Sequence, residues 1–195
     1  SEQIQPLLKG KSFIVRFADD FIMGFTNKSD AERVMEVLPK RFAKYELTLH
    51  PEKTKLIDLN SERGGSGRSF DFLGFTHYLG KSRKGNKVLK RKTSPRRLTR
   101  AITNISKFIK LNRHMKLRDL IAAINVKLRG HYSYYGITFN YKGIFLLYEQ
   151  VQHSLYKWLN RRGGKPAWNW VTFSRLIKLW NPLVKPFIFH SYATT

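Results

Sequence analysis

The 195-residue chain is long enough for one large or two small domains, and with 42% hydrophobic residues it can bury a core. It contains no cysteine, which excludes disulfides and thiolate zinc sites, and its longest apolar runs, such as residues 144–148, are too short to span a bilayer. The formal net charge is +24.

That charge is unevenly spread. Residues 1–71 carry 12 Lys and Arg against 11 Asp and Glu, whereas residues 72–195 carry 25 against only Asp119 and Glu149. A folded region this one-sided repels itself unless a polyanion neutralises it, and nucleic acid is the partner that fits. An anionic membrane surface is the competing polyanion. It is disfavoured because the basic and aromatic residues do not form one interfacial amphipathic helix. No signal peptide is visible, and Ser1 in place of Met points to a fragment or a processed product.

In chain order, the first expected element is a tight β-hairpin over residues 13–25. Two apolar, β-prone runs flank Phe17-Ala18-Asp19-Asp20, so two adjacent carboxylates fall at the turn. Ser29, Asp30, Ala31 and Glu32 form a capping-box pattern. Ala31, Val34, Leu38, Phe42 and Tyr45 follow at helical spacing, with Pro39 expected to kink or divide the helix. Residues 47–49 and 54–57 read as short strands around a turn at His50-Pro51. Residues 64–67 read as a flexible turn. Phe70-Asp71-Phe72-Leu73-Gly74-Phe75 reads as another hairpin element.

A basic connector spans residues 81–92, and Ser94-Pro95 opens a helix with Ser as N-cap and Pro at the first helical position. Leu98, Ile102, Ile105 and Ile109 mark its buried face. Leu117, Ile121, Ile124 and Leu128 mark a second helix, expected to end at Gly130. Tyr148, Val151, Leu155, Trp158 and Leu159 mark a third, and residues 173–180 a fourth, stopped by Asn181-Pro182. The fold class is therefore α+β. Mixed structure over residues 1–92 precedes a mainly helical domain over residues 93–195.

Two sets of residues carry chemistry. Asp19 and Asp20 can be an ordinary turn pair, since Asp bonds nearby backbone. Beside apolar strands they can instead bind Mg²⁺, because ionised carboxylates in such a setting need a partner. Residues 81–100 hold ten Lys and Arg and no acid. Arg83, Lys84, Lys87, Lys90, Arg91, Lys92, Arg96, Arg97 and Arg100 are candidate phosphate contacts, with a solvated linker as the alternative. Arg129, Tyr132 and Tyr135 flank Gly130 and are candidate RNA contacts, Arg129 through its charge. The tyrosines can stack on unpaired bases or pack in the core. Arg161 and Arg162 close the third helix and are further candidate RNA contacts, although cations there also suit the helix dipole.

The ordered motifs resemble one family. Phe17-Ala18-Asp19-Asp20 is similar to the catalytic (Tyr/Phe)-Ala-Asp-Asp hairpin of a reverse-transcriptase palm. The segment Leu47-Thr48-Leu49-His50-Pro51-Glu52-Lys53-Thr54-Lys55 resembles one that follows it in group II intron reverse transcriptases. Phe70 to Phe75 resembles the element beside the primer grip. Residues 128–136, 157–162 and 182–186 resemble the maturase, or X, domain of bacterial members.

The resemblance implies an RNA-directed DNA polymerase that uses Mg²⁺, with Asp19 the firmer metal ligand and Asp20 assisting. It implies a partial palm in residues 1–92 and a thumb and maturase domain in residues 93–195. Lys53 is a catalytic candidate that would neutralise the triphosphate or protonate the leaving pyrophosphate, or else an edge lysine that blocks strand pairing. The implied partners are intron RNA, an RNA/DNA hybrid and an N-terminal half supplying fingers and the remaining palm Asp, in the bacterial cytoplasm and without a membrane. Phe17 departs from the commoner Tyr. The alternative function is a non-catalytic RNA-binding protein that assists splicing with a degenerate fold of this type.

Overall fold

The computed structural model describes residues 8–59, 69–82, 84–163, 168–180 and 182–191. It divides into two units, Ser1–Arg68 and Ser69–Thr195.

The first unit opens with antiparallel strands β1 (Ser12–Phe17) and β2 (Asp20–Phe25). Phe17 pairs with Asp20, so the turn is Ala18-Asp19. Ala18 takes φ +49, a left-handed conformation that costs an L-residue roughly 1–2 kcal/mol. The Arg16 guanidinium supports the turn by donating to the Ala18 carbonyl at 2.9 Å. A Cβ at position 24 would lie 2.2 Å from the Phe13 ring, so a side chain there would have to push that exposed ring aside.

Helix α1 (Lys28–Ala43) packs on β2 through Phe21 and Phe42, whose rings stack at 6.0 Å. Its cap differs from expectation. Asn27, not Ser29, accepts from the Ser29 amide and hydroxyl at 3.0 Å, and Glu32 pairs with Lys28 at 3.6 Å. Asx capping of this kind satisfies an orphan amide as well as Ser does. The helix also runs undivided through Pro39.

The two short strands expected after α1 are absent, and the backbone hydrogen bonds show why. Glu46 at φ +58 ends the helix, and the Leu47 amide is spent on the Phe42 carbonyl, as in a Schellman motif. The amides of Lys53 and Thr54 both turn back onto the His50 carbonyl, as does the Thr54 hydroxyl. These donors are then unavailable to a ladder. The turn expected at residues 64–67 lies outside the described residues.

The second unit begins with a three-stranded antiparallel sheet, β3 (Ser69–Phe72), β4 (Phe75–Lys81) and β5 (Lys87–Thr93). Leu73 and Gly74, at φ +50 and +80, form the two-residue turn; positive φ at both positions matches the twist of the flanking strands. The basic segment read as a connector is in fact the end of β4, a turn and β5. Successive residues of β5 pair with β4: Lys92 with Thr76, Arg91 with His77, Lys90 with Tyr78.

Among the described residues, four helices complete this unit: α2 (Pro95–Leu111), α3 (Leu117–Tyr135), α4 (Tyr141–Leu159) and α5 (Trp170–Trp180). They share one core, built from Ile105 and Ile109, from Leu120, Ile124, Leu128 and Tyr132, from Ile144, Leu147, Val151 and Leu155, and from Phe173 and Ile177. Pro95 starts α2 as expected, although the Ser94 side chain makes no capping bond. Gly130 does not end α3. The helix continues because Leu128, Tyr132 and Tyr135 keep its buried face periodic, which offsets the roughly 1 kcal/mol that a mid-helix glycine costs. Residues 182–191 run back along α3: Asn125 clasps Pro182 and Val184, and the Phe189 amide reaches Gly136 at 2.7 Å.

The change from strands to helices falls at Ser94, next to the expected 92/93 boundary, yet the packing units part at 68/69. Asn140 explains why the sheet stays with the helices. Fully buried, it accepts from the Thr93 amide at 2.8 Å and donates to the Thr93 hydroxyl and the Tyr135 carbonyl, both at 2.8 Å. Asn140→Ala should cost about 2–4 kcal/mol, since it leaves a buried amide unpaired. Urea unfolding of the variant checks this, and a loss under 1 kcal/mol would remove Asn140 as the clasp.

Candidate catalytic turn and nucleic-acid surface

Asp19 sits in the β1–β2 turn and Asp20 begins β2, both exposed. Strand alternation puts Asp20 on the face of Val15 and Phe17, opposite the face where Phe21 meets α1. That face is open: Phe13 and Phe17 are 60% and 62% exposed. Among the described residues neither carboxylate has an ion pair or side-chain hydrogen bond, and no group of three or more His, Asp or Glu forms that could hold a metal. Lys53 is exposed in the turn after Pro51, and no bond joins it to either carboxylate among the described residues.

The basic candidates separate into two kinds. Lys84, Lys87, Lys92, Arg96, Arg97, Arg100, Arg129 and Arg161 are exposed. Lys90 and Arg91 are half-buried in β5. The Lys90 ammonium lies 5.0 Å over the Phe139 ring and that of Lys92 lies 5.4 Å over Tyr78, contacts that hold the cations along the sheet. Burial and the Arg91 charge hold the His77 imidazole below its usual pKa. Arg162 is partly enclosed and donates to the Met115 carbonyl at 2.9 Å, which ties the end of α4 to the α2–α3 loop. Arg83 lies outside the described residues.

The tyrosines divide as well. Tyr132 is fully buried in the helical core, and burial pushes its hydroxyl pKa up. It cannot stack on a base, which corrects its assignment as an RNA contact. Tyr135 is half-buried between the His131 ring at 4.5 Å and the Phe75 ring at 5.1 Å. Tyr134 and Tyr135 support the β3–β4 turn: the Tyr135 hydroxyl abuts Gly74, and Tyr134, 51% exposed, donates to the Leu73 carbonyl at 2.8 Å.

Lys107 and Lys110 were missed in the sequence. With Arg96 and Arg100 they recur at helical spacing on the solvent face of α2, opposite Ile105 and Ile109. The signal was legible, since basic residues repeat with the same period as the apolar ones.

His131 gives the second unit a pH dependence. Its Nε2 is buried without a partner, and burial holds its pKa down at about 4 against 6.5 for a free imidazole. The unfolded chain therefore takes up this proton first as pH falls. Stability from this group is complete above pH 6.5 and is lost between 6.5 and 4, by roughly 3 kcal/mol in all. Urea unfolding at pH 7 and pH 4.5 should show this loss in the native chain and a smaller one in His131→Gln; equal losses would contradict the assignment.

Two family models match the chain. The reverse transcriptase (RNA-dependent DNA polymerase) model matches residues 1–77, so it spans the Asp19-Asp20 turn and the first hairpin of the second unit. The group II intron, maturase-specific domain model matches residues 98–184, across all four helices. The chain belongs to the group II intron reverse transcriptase/maturase family. No curated protein matched it in a direct search. Within the second unit, the sheet and the helices meet where Asn140 clasps Thr93. No helix among the described residues is long and apolar enough to cross a membrane.

Proposed function

We propose that this region works in RNA-directed DNA synthesis and in binding intron RNA, promoting splicing and mobility in the bacterial cytoplasm. One observation carries the reading: a turn exposing two adjacent carboxylates shares a chain with a unit that holds 25 basic residues against three acids. Asp19 and Asp20 would hold Mg²⁺, with Asp19 the firmer ligand. The donor chemistry fits, because Mg²⁺ takes hard oxygens from one or two carboxylates and fills its shell with phosphate and water. The set is completed by substrate and by a further Asp from an N-terminal palm half. When bound, the ion stabilises the attacking and leaving oxygens of in-line nucleotidyl transfer.

Within the chain's own residues, Ala18 and Arg16 fix the turn that presents both acids. Lys53 would neutralise the triphosphate or give its proton to the departing pyrophosphate. The Leu73-Gly74 turn, propped by Tyr134 and Tyr135, would hold the primer strand of an RNA/DNA hybrid through its backbone. The exposed cations of β5 and α2 would contact phosphates.

Primer extension on an RNA template tests the catalytic part. The chain alone should give none, and adding the N-terminal half should restore it in Mg²⁺. Persistent inactivity of the joined halves, with RNA binding intact, would leave the splicing-assistance function without polymerisation.

A further inference from the structure

The helices of the second unit grip the β3–β4 turn. Leu73 and Gly74 both take positive φ, +50 and +80, a region that leucine avoids. Both of their carbonyls are engaged from outside the hairpin. The Tyr134 hydroxyl, from the last turn of α3, donates to the Leu73 carbonyl at 2.8 Å. The Ser94 amide, at the N-cap of α2, donates to the Gly74 carbonyl at 3.0 Å. The Leu73 and Gly74 amides donate to no described residue. The rings that close over the turn are packed on one another. Tyr134 stacks on the buried Phe75 at 5.5 Å, and Tyr135 meets Phe75 at 5.1 Å and His131 at 4.5 Å. A Cβ at position 74 would lie 2.8 Å from the Tyr135 hydroxyl.

Tyr134 is half in water, so its hydroxyl could bond solvent and the bond to Leu73 adds little net stability. What the bond fixes is a direction. The peptide between Leu73 and Gly74 is planar and trans, so its carbonyl and its N–H point opposite ways. Holding the Leu73 carbonyl therefore aims the Gly74 amide, a donor that the fold leaves unspent. We infer that Tyr134 and Tyr135 are positioning residues for primer extension: the end of α3 sets where the Gly74 amide points, and through it how the primer strand is held. Neither tyrosine needs to touch nucleic acid for this. The inference rests on the primer-holding role proposed above for the turn.

The test is primer extension by the chain joined to its N-terminal half, with primer-template in excess, reading the rate and the amplitude of the first turnover separately. Tyr134→Phe keeps the ring on Phe75 and loses only the hydroxyl. Its rate should fall by about 3- to 10-fold, the worth of one hydrogen bond, with native amplitude and native RNA affinity. Gly74→Ala should lower the rate by about 10- to 100-fold, because a small displacement of a positioning group is costly. Adding Tyr135→Phe to Gly74→Ala should recover part of that loss, since the ring atom then nearest the new methyl lies 3.7 Å away. A prop that only stabilises the fold would lower the amplitude and leave the rate native, and that result overturns the inference. Native rates in both Tyr134→Phe and Gly74→Ala overturn it too, as does a loss of RNA affinity in Tyr134→Phe, which would make the hydroxyl a direct RNA contact. If the native joined halves extend no primer, the proposed function fails and takes this inference with it; if they extend and the variants match them, this inference alone is wrong.

Discussion

Asp19→Ala should abolish primer extension by the enzyme completed with its N-terminal half, lowering the rate by roughly 10³-fold or more. A metal site supplies several kcal/mol of charge stabilisation in the transition state, and each 1.36 kcal/mol is a factor of ten. RNA affinity should stay near native. The exposed turn contributes no cation, and removing one carboxylate even lowers local repulsion of phosphate. Asp20→Ala should cost less, because Asp20 heads strand β2 and its backbone already pairs with Phe17. The comparison separates chemistry from folding: both variants keep the hairpin, so their circular dichroism should match the native chain. Full extension by Asp19→Ala would refute the catalytic assignment. Loss of extension together with loss of RNA binding would point to a damaged fold.

The acidic turn was legible because it is local. Two β-prone runs with a polar pair between them specify a hairpin from adjacent residues, and the structure forms it with the acids at the turn. The helical faces were legible for the same reason: Ile105, Ile109, Ile124, Val151 and Leu155 recur with the helical period and meet in one core. The strands expected at residues 47–49 and 54–57 failed on donors that propensity does not count, the amides of Leu47, Lys53 and Thr54. Side-chain roles set by distant contacts were illegible. Tyr132 and Tyr135 sit three residues apart on one helix, so the sequence offers them alike. Only the packing of α3 separates the fully buried ring from the one that props Gly74. Asn140, with no motif around it, reads as an ordinary turn residue until Thr93 arrives 47 positions away in sequence.

The salt dependence of RNA binding should divide between charge and ring substitutions. The second unit carries 25 Lys and Arg against Asp71, Asp119 and Glu149, and each phosphate it neutralises releases condensed counterions. Changing Lys87, Arg96, Arg97 and Arg100 to Ala should flatten the slope of log affinity against log salt by up to about one unit per lost contact. These four are chosen because all are exposed, so their removal leaves the core intact. Arg91 is left in place because it is half-buried beside His77 and its loss would disturb the sheet. Tyr132→Phe should change neither affinity nor slope, since that ring is enclosed among α2, α3 and α4 side chains. Tyr134→Ala should keep the slope while costing about 1–3 kcal/mol if its exposed ring stacks on a base. Its hydroxyl donates to Leu73, so Tyr134→Phe isolates that bond from stacking. Titrations at four salt concentrations read both quantities at once. A quadruple charge variant that kept native affinity and native slope would place the RNA path away from β5 and the start of α2.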